Sequence, residues 1–150
     1  MKLATALSER ADLQRRISEL GTRLNNNAKV QEGEKPAEDP KELLSELDAC
    51  LNRLEELVAR INRTNNATKH GGLTVSDLIA RRDCLRERIR IMRDFLNTSS
   101  DKVNRYSKAE IKILSTVSVP ELQKTVDGYS RQLRETDEII QGLNWTTELI

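Results

Sequence analysis

The chain holds 150 residues, of which 33% are charged, 37% hydrophobic and only 3% aromatic. Its 25 basic residues balance 24 acidic ones, so no global field draws it to nucleic acid or to an anionic membrane. So much charge beside so few aromatics suits long helices with narrow apolar seams, and argues against a β-sandwich, a barrel or a deep substrate pocket.

From the amino end, Leu3, Ala6, Arg10, Leu13, Ile17, Leu20 and Leu24 recur at alternating spacings of three and four, which predicts a helix over about 2–26. Arg10 is the charge in that seam, and a seam charge needs a carboxylate or carbonyl cluster. Residues 27–39, following Asn25-Asn26, are polar and read as a mobile linker. Asp39-Pro40-Lys41-Glu42 then supplies an N-cap, a proline in the first turn and a capping-box glutamate. The helix it opens spans about 40–63, with a seam of Leu44, Leu47, Leu51, Leu54, Val58 and Ile61. Leu43, Cys50 and Leu57 form a neighbouring stripe, so this second helix is expected to meet partners on two sides.

Residues 64–73 form a compact turn carrying the single histidine, His70, with Asn65 closing the helix in the left-handed conformation. A third helix over about 75–99 reads Leu78, Arg82, Leu85, Ile89, Met92, Leu96 along its seam. Its arginines alternate with Asp77, Asp83, Glu87 and Asp94, which makes a solvated, ion-paired face. Arg82, on the seam, is expected to meet an acid or carbonyls of another helix. Between about 105 and 118, Ile111, Ile113, Val117 and Val119 share one face at period two, predicting a short extended β segment that pairs internally or with another copy. Ser118-Val119-Pro120-Glu121 opens a fourth helix over about 119–143, with a seam of Leu122, Val126, Tyr129, Leu133, Thr136, Ile140 and Leu143. The fold class is therefore all-α: one domain, a bundle of four long helices with coiled-coil-like seams and an extended segment between the third and fourth.

The chemistry offered is sparse. One histidine with two cysteines, Cys50 and Cys84, falls short of a closed zinc set, and no Glu-x-x-His pair is present. Gly71-Gly72 makes a turn and not a phosphate loop. No catalytic, cofactor-binding or metal-binding residues are assigned, no small-molecule substrate is expected, and the protein reads as a non-enzyme. The apolar run Leu3–Leu7 is shorter than a signal's core, so the expected location is the cytoplasm, where the thiols stay reduced.

Four strings carry a resemblance: Arg60-Ile61-Asn62-Arg63-Thr64-Asn65, Ala80-Arg81-Arg82-Asp83, Arg105-Tyr106-Ser107-Lys108-Ala109-Glu110-Ile111-Lys112 and Leu143-Asn144-Trp145-Thr146-Thr147-Glu148-Leu149. Together they resemble a septicolysin-like family of small bacterial helical proteins. The resemblance implies oligomers and, through the family's name, cytolytic activity. Assembly residues are then Arg63, Asn65, Arg82, Asp83, Arg105, Tyr106 and Trp145, joined by Ile111 and Ile113 of the extended segment. The leading reading is a structural or interaction protein that assembles with itself. A membrane-active, pore-forming protein is the alternative, and a weak nucleic-acid binder using the arginines of the third helix comes third.

Overall fold

The computed structural model describes residues 1–101 and 111–150. These form helices α1 (Leu3–Asn26) and α2 (Pro40–Ala67), a two-residue strand pair β1 (Lys69–His70) and β2 (Leu73–Thr74), and helices α3 (Val75–Ser100) and α4 (Val119–Thr146). The chain divides into two compact units, Met1–Val75 with Gly142–Ile150, and Ser76–Gln141.

In the first unit α1 and α2 run antiparallel. Glu9 pairs with Arg53 at 2.7 Å and Arg16 with Glu46 at 2.6 Å, and the residue numbers add to 62 both times. The seam sorts into two clusters. Leu20 packs with Leu43 and Cys50 near the linker, while Leu3 and Ala6 pack with Leu57, Ile61 and Leu149 at the other end. Each fully buried Leu or Ile contributes about 1.5–3 kcal/mol, so these few positions carry most of the pairing.

The covered stripe of α2 is Leu43, Cys50, Leu57, Ile61 and Thr64. Leu44 and Leu51, expected in the main seam, remain 50% and 43% exposed. At 3.6 residues per turn the apolar arc of α2 from Leu44 to Leu57 spans about 140°, wider than one neighbouring helix covers.

The ends of α2 follow from its sequence. Asp39 caps the amino end through a 3.0 Å bond from the Lys41 amide, with Pro40 in the first turn. At the other end the helix runs past Asn65 to Ala67, and Thr68 is extended. Asn65 is therefore helical: among the described residues no residue other than glycine has positive φ. The left-handed conformations fall instead at Gly71 (φ 57°) and Gly72 (φ 84°), which make the tight two-residue turn between β1 and β2. Residues 27–39 are tied at both ends. The buried Asn27 side chain donates to the Arg23 carbonyl and accepts from the Glu38 amide, and Glu38 is clamped by Arg23.

The second unit pairs α3 with α4. Arg86 reaches Asp137 and Arg93 reaches the Ser130 hydroxyl, each at 3.3 Å and each with numbers adding to 223, so these helices are also antiparallel. On α3 the buried positions are Leu78, Leu85, Ile89 and Leu96, and on this part of α4 Val126, Thr136 and Ile140. The 3-4 spacing read from the sequence is thus the covered seam in α3 and α4. Thr98, Ser99 and Ser100 turn their hydroxyls back onto carbonyls of the preceding turn, where α3 ends.

The expected extended segment is only partly within the described residues. Residues 111–115 carry no regular secondary structure and no strand forms over 111–118. A period-two pattern records which side chains are apolar; it becomes a strand only where a partner satisfies the backbone. Among the described residues the strand pair lies instead between α2 and α3.

Candidate interaction surface

Among the described residues no group of three or more His, Cys, Asp or Glu side chains could hold a metal ion, and no helix is long and apolar enough to cross a membrane. His70 lies exposed on β1. Both cysteines are free, Cys50 buried and Cys84 exposed. What the fold does present is surface.

In the second unit five large apolar side chains are exposed among the described residues. Ile111 is 80% exposed, Ile113 65% and Leu114 78%, while Ile91 and Phe95 of α3 are about half exposed. Phe95, Ile113, Leu114 and Thr98 line one groove of about 210 Å³, so the irregular segment lies along the outer face of α3. Apolar surface gathered in this way is the usual mark of a contact site, since isolated exposed hydrophobes are ordinary and clustered ones are not.

The arginines of α3 separate into two sets. Arg86, Arg90 and Arg93, with Ile89 and Leu133, line an open groove of about 410 Å³. Arg90 pairs with Glu87 at 2.5 Å and with Asp94 at 3.6 Å, and the Arg90 guanidinium holds the Glu87 carboxyl below its ordinary range. Most of that groove's positive charge is thus met by carboxylates. Arg81 and Arg88 lie on the other flank, beside Cys84, Leu85 and Gln132. Arg88 sits 4.8 Å above the Tyr129 ring, and neither arginine has a carboxylate partner among the described residues.

The residues singled out from the sequence scatter. Arg63 is exposed and Asn65 half-buried, on either side of Thr64, which is fully buried and does more than both. The Thr64 hydroxyl donates to the Arg60 carbonyl at 2.9 Å and accepts from the Ile150 amide at 3.0 Å. It therefore ties α2 to residues 147–150. Extending the spacing of α2 by three residues beyond Ile61 reaches Thr64, which is the signal that finds it.

Arg82 pairs with its neighbour Asp83 at 2.9 Å, and not with an acid of another helix. Adjacent residues on a helix splay apart, and this pair meets because the arginine side chain is long enough to lie back along the surface. Arg105 and Tyr106 lie outside the described residues. Ile111 and Ile113 are exposed. Trp145 is 67% exposed, and the buried residue of that segment is Leu149, 8% exposed against Leu3 and Ile61. Arg10, the seam charge of α1, keeps a buried Nε with no hydrogen-bond partner among the described residues.

A second cluster at the Leu149 end joins residues far apart in sequence. The Leu3 amide donates to the Thr147 carbonyl at 2.9 Å, the Leu149 amide to the Met1 carbonyl at 2.8 Å, and Arg60 to the Ile150 carbonyl at 3.0 Å. Lys2 and the Met1 amino group both meet Glu148, at 2.7 and 3.1 Å, and these cations hold its carboxyl below the ordinary range.

Residues 10–149 match a family of unknown function, DUF6847. A crystal structure of a functionally unknown conserved protein from Corynebacterium diphtheriae is similar over the whole of this chain and 99% of its own, at 42% identity and a TM-score of 0.93. No curated protein matches.

Proposed function

The chain belongs to this family of unknown function, and from its surface we propose that it is a non-enzymatic helical interaction protein that assembles with itself through the second unit. The observation that carries this reading is the pair of exposed Ile113 and Leu114 lying along Phe95 of α3, with Ile111 exposed beside them in sequence. Three large hydrophobes at 65–80% exposure cost solubility unless something covers them, and covering each is worth about 1.5–3 kcal/mol. The exposed free Cys84 fits a reducing, cytoplasmic setting.

The test is the native mass by size exclusion with light scattering. Wild-type protein should exceed the 17.1 kDa of one chain, and the double substitution Ile113→Asp with Leu114→Asp should return it to that mass. A wild type at 17.1 kDa over the micromolar range overturns the reading.

The same exposed residues supply what support there is for the membrane-active alternative implied by the septicolysin-like resemblance. Dye release from anionic liposomes, lost in the same variant, would favour it over self-assembly. The nucleic-acid reading has less behind it, since Arg86 and Arg90 each already face a carboxylate.

A further inference from the structure

Two helix faces of this protein carry apolar stripes that the chain leaves exposed, and one rim of each carries charge without an ion-pair partner among the described residues, acidic on α2 and basic on α3. On α2 the stripe is Leu44 and Leu51, continuing toward the half-buried Val58, and Asp48 and Glu55 flank it. On α3 the stripe is Cys84, Ile91 and Phe95, flanked by Arg81 and Arg88. All four flanking residues are exposed, and among the described residues none of them has an ion-pair partner.

The spacing matches as well as the sign. Asp48 and Glu55 are seven residues apart, as are Arg81 and Arg88, so each pair spans about 10.5 Å of helix rise. An antiparallel alignment sets like flanks of two helices against each other. It can bring Asp48 opposite Arg88 and Glu55 opposite Arg81 together, placing Leu44 near Ile91 and Leu51 near Cys84. Pairing α2 with another α2 would instead oppose Asp48 to Glu55, and α3 with another α3 would oppose Arg81 to Arg88. Like charges held together in this way disfavour both.

We propose that the α2 stripe of one copy docks on the α3 stripe of a second copy, with Asp48 and Glu55 paired to Arg88 and Arg81. This rests on the self-association reading and names the surface opposite the second unit's patch. The contact joins two different faces, so it closes as a two-fold dimer where both stripes of one copy engage the same partner and runs head to tail where they engage different ones.

A charge exchange tests it. One variant carries Asp48→Arg with Glu55→Arg, the other Arg81→Glu with Arg88→Glu; all four positions are exposed, and unchanged helical circular dichroism verifies the fold. Each variant alone should run at 17.1 kDa, and an equimolar mixture should recover the wild-type mass, because the reversed rim of each then meets a complementary one. Recovery on mixing is specific to a contact between copies; a pairing within one chain would not be restored by a second variant. If wild type assembles and either variant assembles equally well, or the mixture stays at the mass of one chain, this pairing is wrong while self-association stands. A wild type at the mass of one chain removes both, and a lysine-rich apolar helix from another protein then becomes the occupant to seek.

Discussion

In the first unit three ion pairs cross from α1 toward α2 and its approach, at Glu9, Arg16 and Arg23, positions seven residues apart along one flank of α1. In the second unit most Arg–carboxylate pairs run along a single helix: Arg82 with Asp83, Arg90 with Glu87 and Asp94, Arg131 with Glu135. Pairs between helices help to fix register, whereas pairs within a helix stabilise each helix separately and leave the seam to align them. The first unit is consequently specified by charge and core together, and the second by one apolar row on each helix. Among the described residues the two most exposed large hydrophobes, Ile111 and Leu114, belong to the second unit. The difference teaches where internal specification ends and room for a partner begins.

The contrast is broken most strongly in the cores. Leu57→Ala removes a fully buried side chain of a five-residue cluster and should cost about 3–5 kcal/mol in urea unfolding. Ile89→Ala, on a seam bordered by the open arginine groove, should cost nearer about 2 kcal/mol because its surroundings can collapse. A larger loss at Ile89 than at Leu57 would reverse the comparison.

Thr64→Val comes next. It keeps the shape but leaves the Ile150 amide without its acceptor, at about 1–3 kcal/mol. The same substitution should speed amide exchange at Leu149 and Ile150 while leaving α3 unchanged, and equal acceleration in both units would show the clasp is not local.

Acid has the smallest effect and the clearest sign. The guanidinium of Arg53 bonds Glu9 and that of Arg23 bonds Glu38, so both carboxyls are held below their ordinary range in the folded chain. Groups depressed in this way stabilise the fold above the unfolded carboxylate value of about 4.3 and lose that stabilisation as pH falls through the folded value. Both pairs are largely solvated, which keeps the contribution modest. Amide exchange at pH 3 against pH 6, corrected for intrinsic rates, should therefore loosen the pairing of α1 with α2 more than that of α3 with α4. Equal loosening would mean that the interhelix pairs do nothing special.

Much of the architecture is legible in the sequence because the 3-4 spacing in α1, α3 and α4 has one predominant apolar row, and that row is the one covered. The cap at Asp39 is legible for a similar reason: a short acceptor before a proline has few other uses. In α2 two apolar rows run side by side, and periodicity alone does not say which one α1 covers; the cluster of Leu20 with Leu43 and Cys50 decides it. The alternation at Ile111 and Ile113 was read as a strand because pattern reports polarity and not partners. Size does not decide burial in the last segment: Trp145 is exposed, and the smaller Leu149 is buried with its amide bonded. Of the candidate contact residues, Ile111 and Ile113 were visible as hydrophobes without a helical seam. The exposed row on α3 was not, because Cys84, Ile91 and Phe95 are interrupted by Arg88.

The bonds from Leu3 to Thr147 and from Leu149 to Met1 close the stretch between these residues into a long loop. For a loop of this size the length-dependent part of the closure entropy is about 4 kcal/mol. Two backbone hydrogen bonds, worth about 0.5–1.5 kcal/mol each, do not offset it by themselves. The loop is held because closing it also buries Leu3 and Leu149 against Leu57 and Ile61. Its closure thus draws on the same cluster that joins α1 to α2, so loosening that pairing should release residues 147–150 as well.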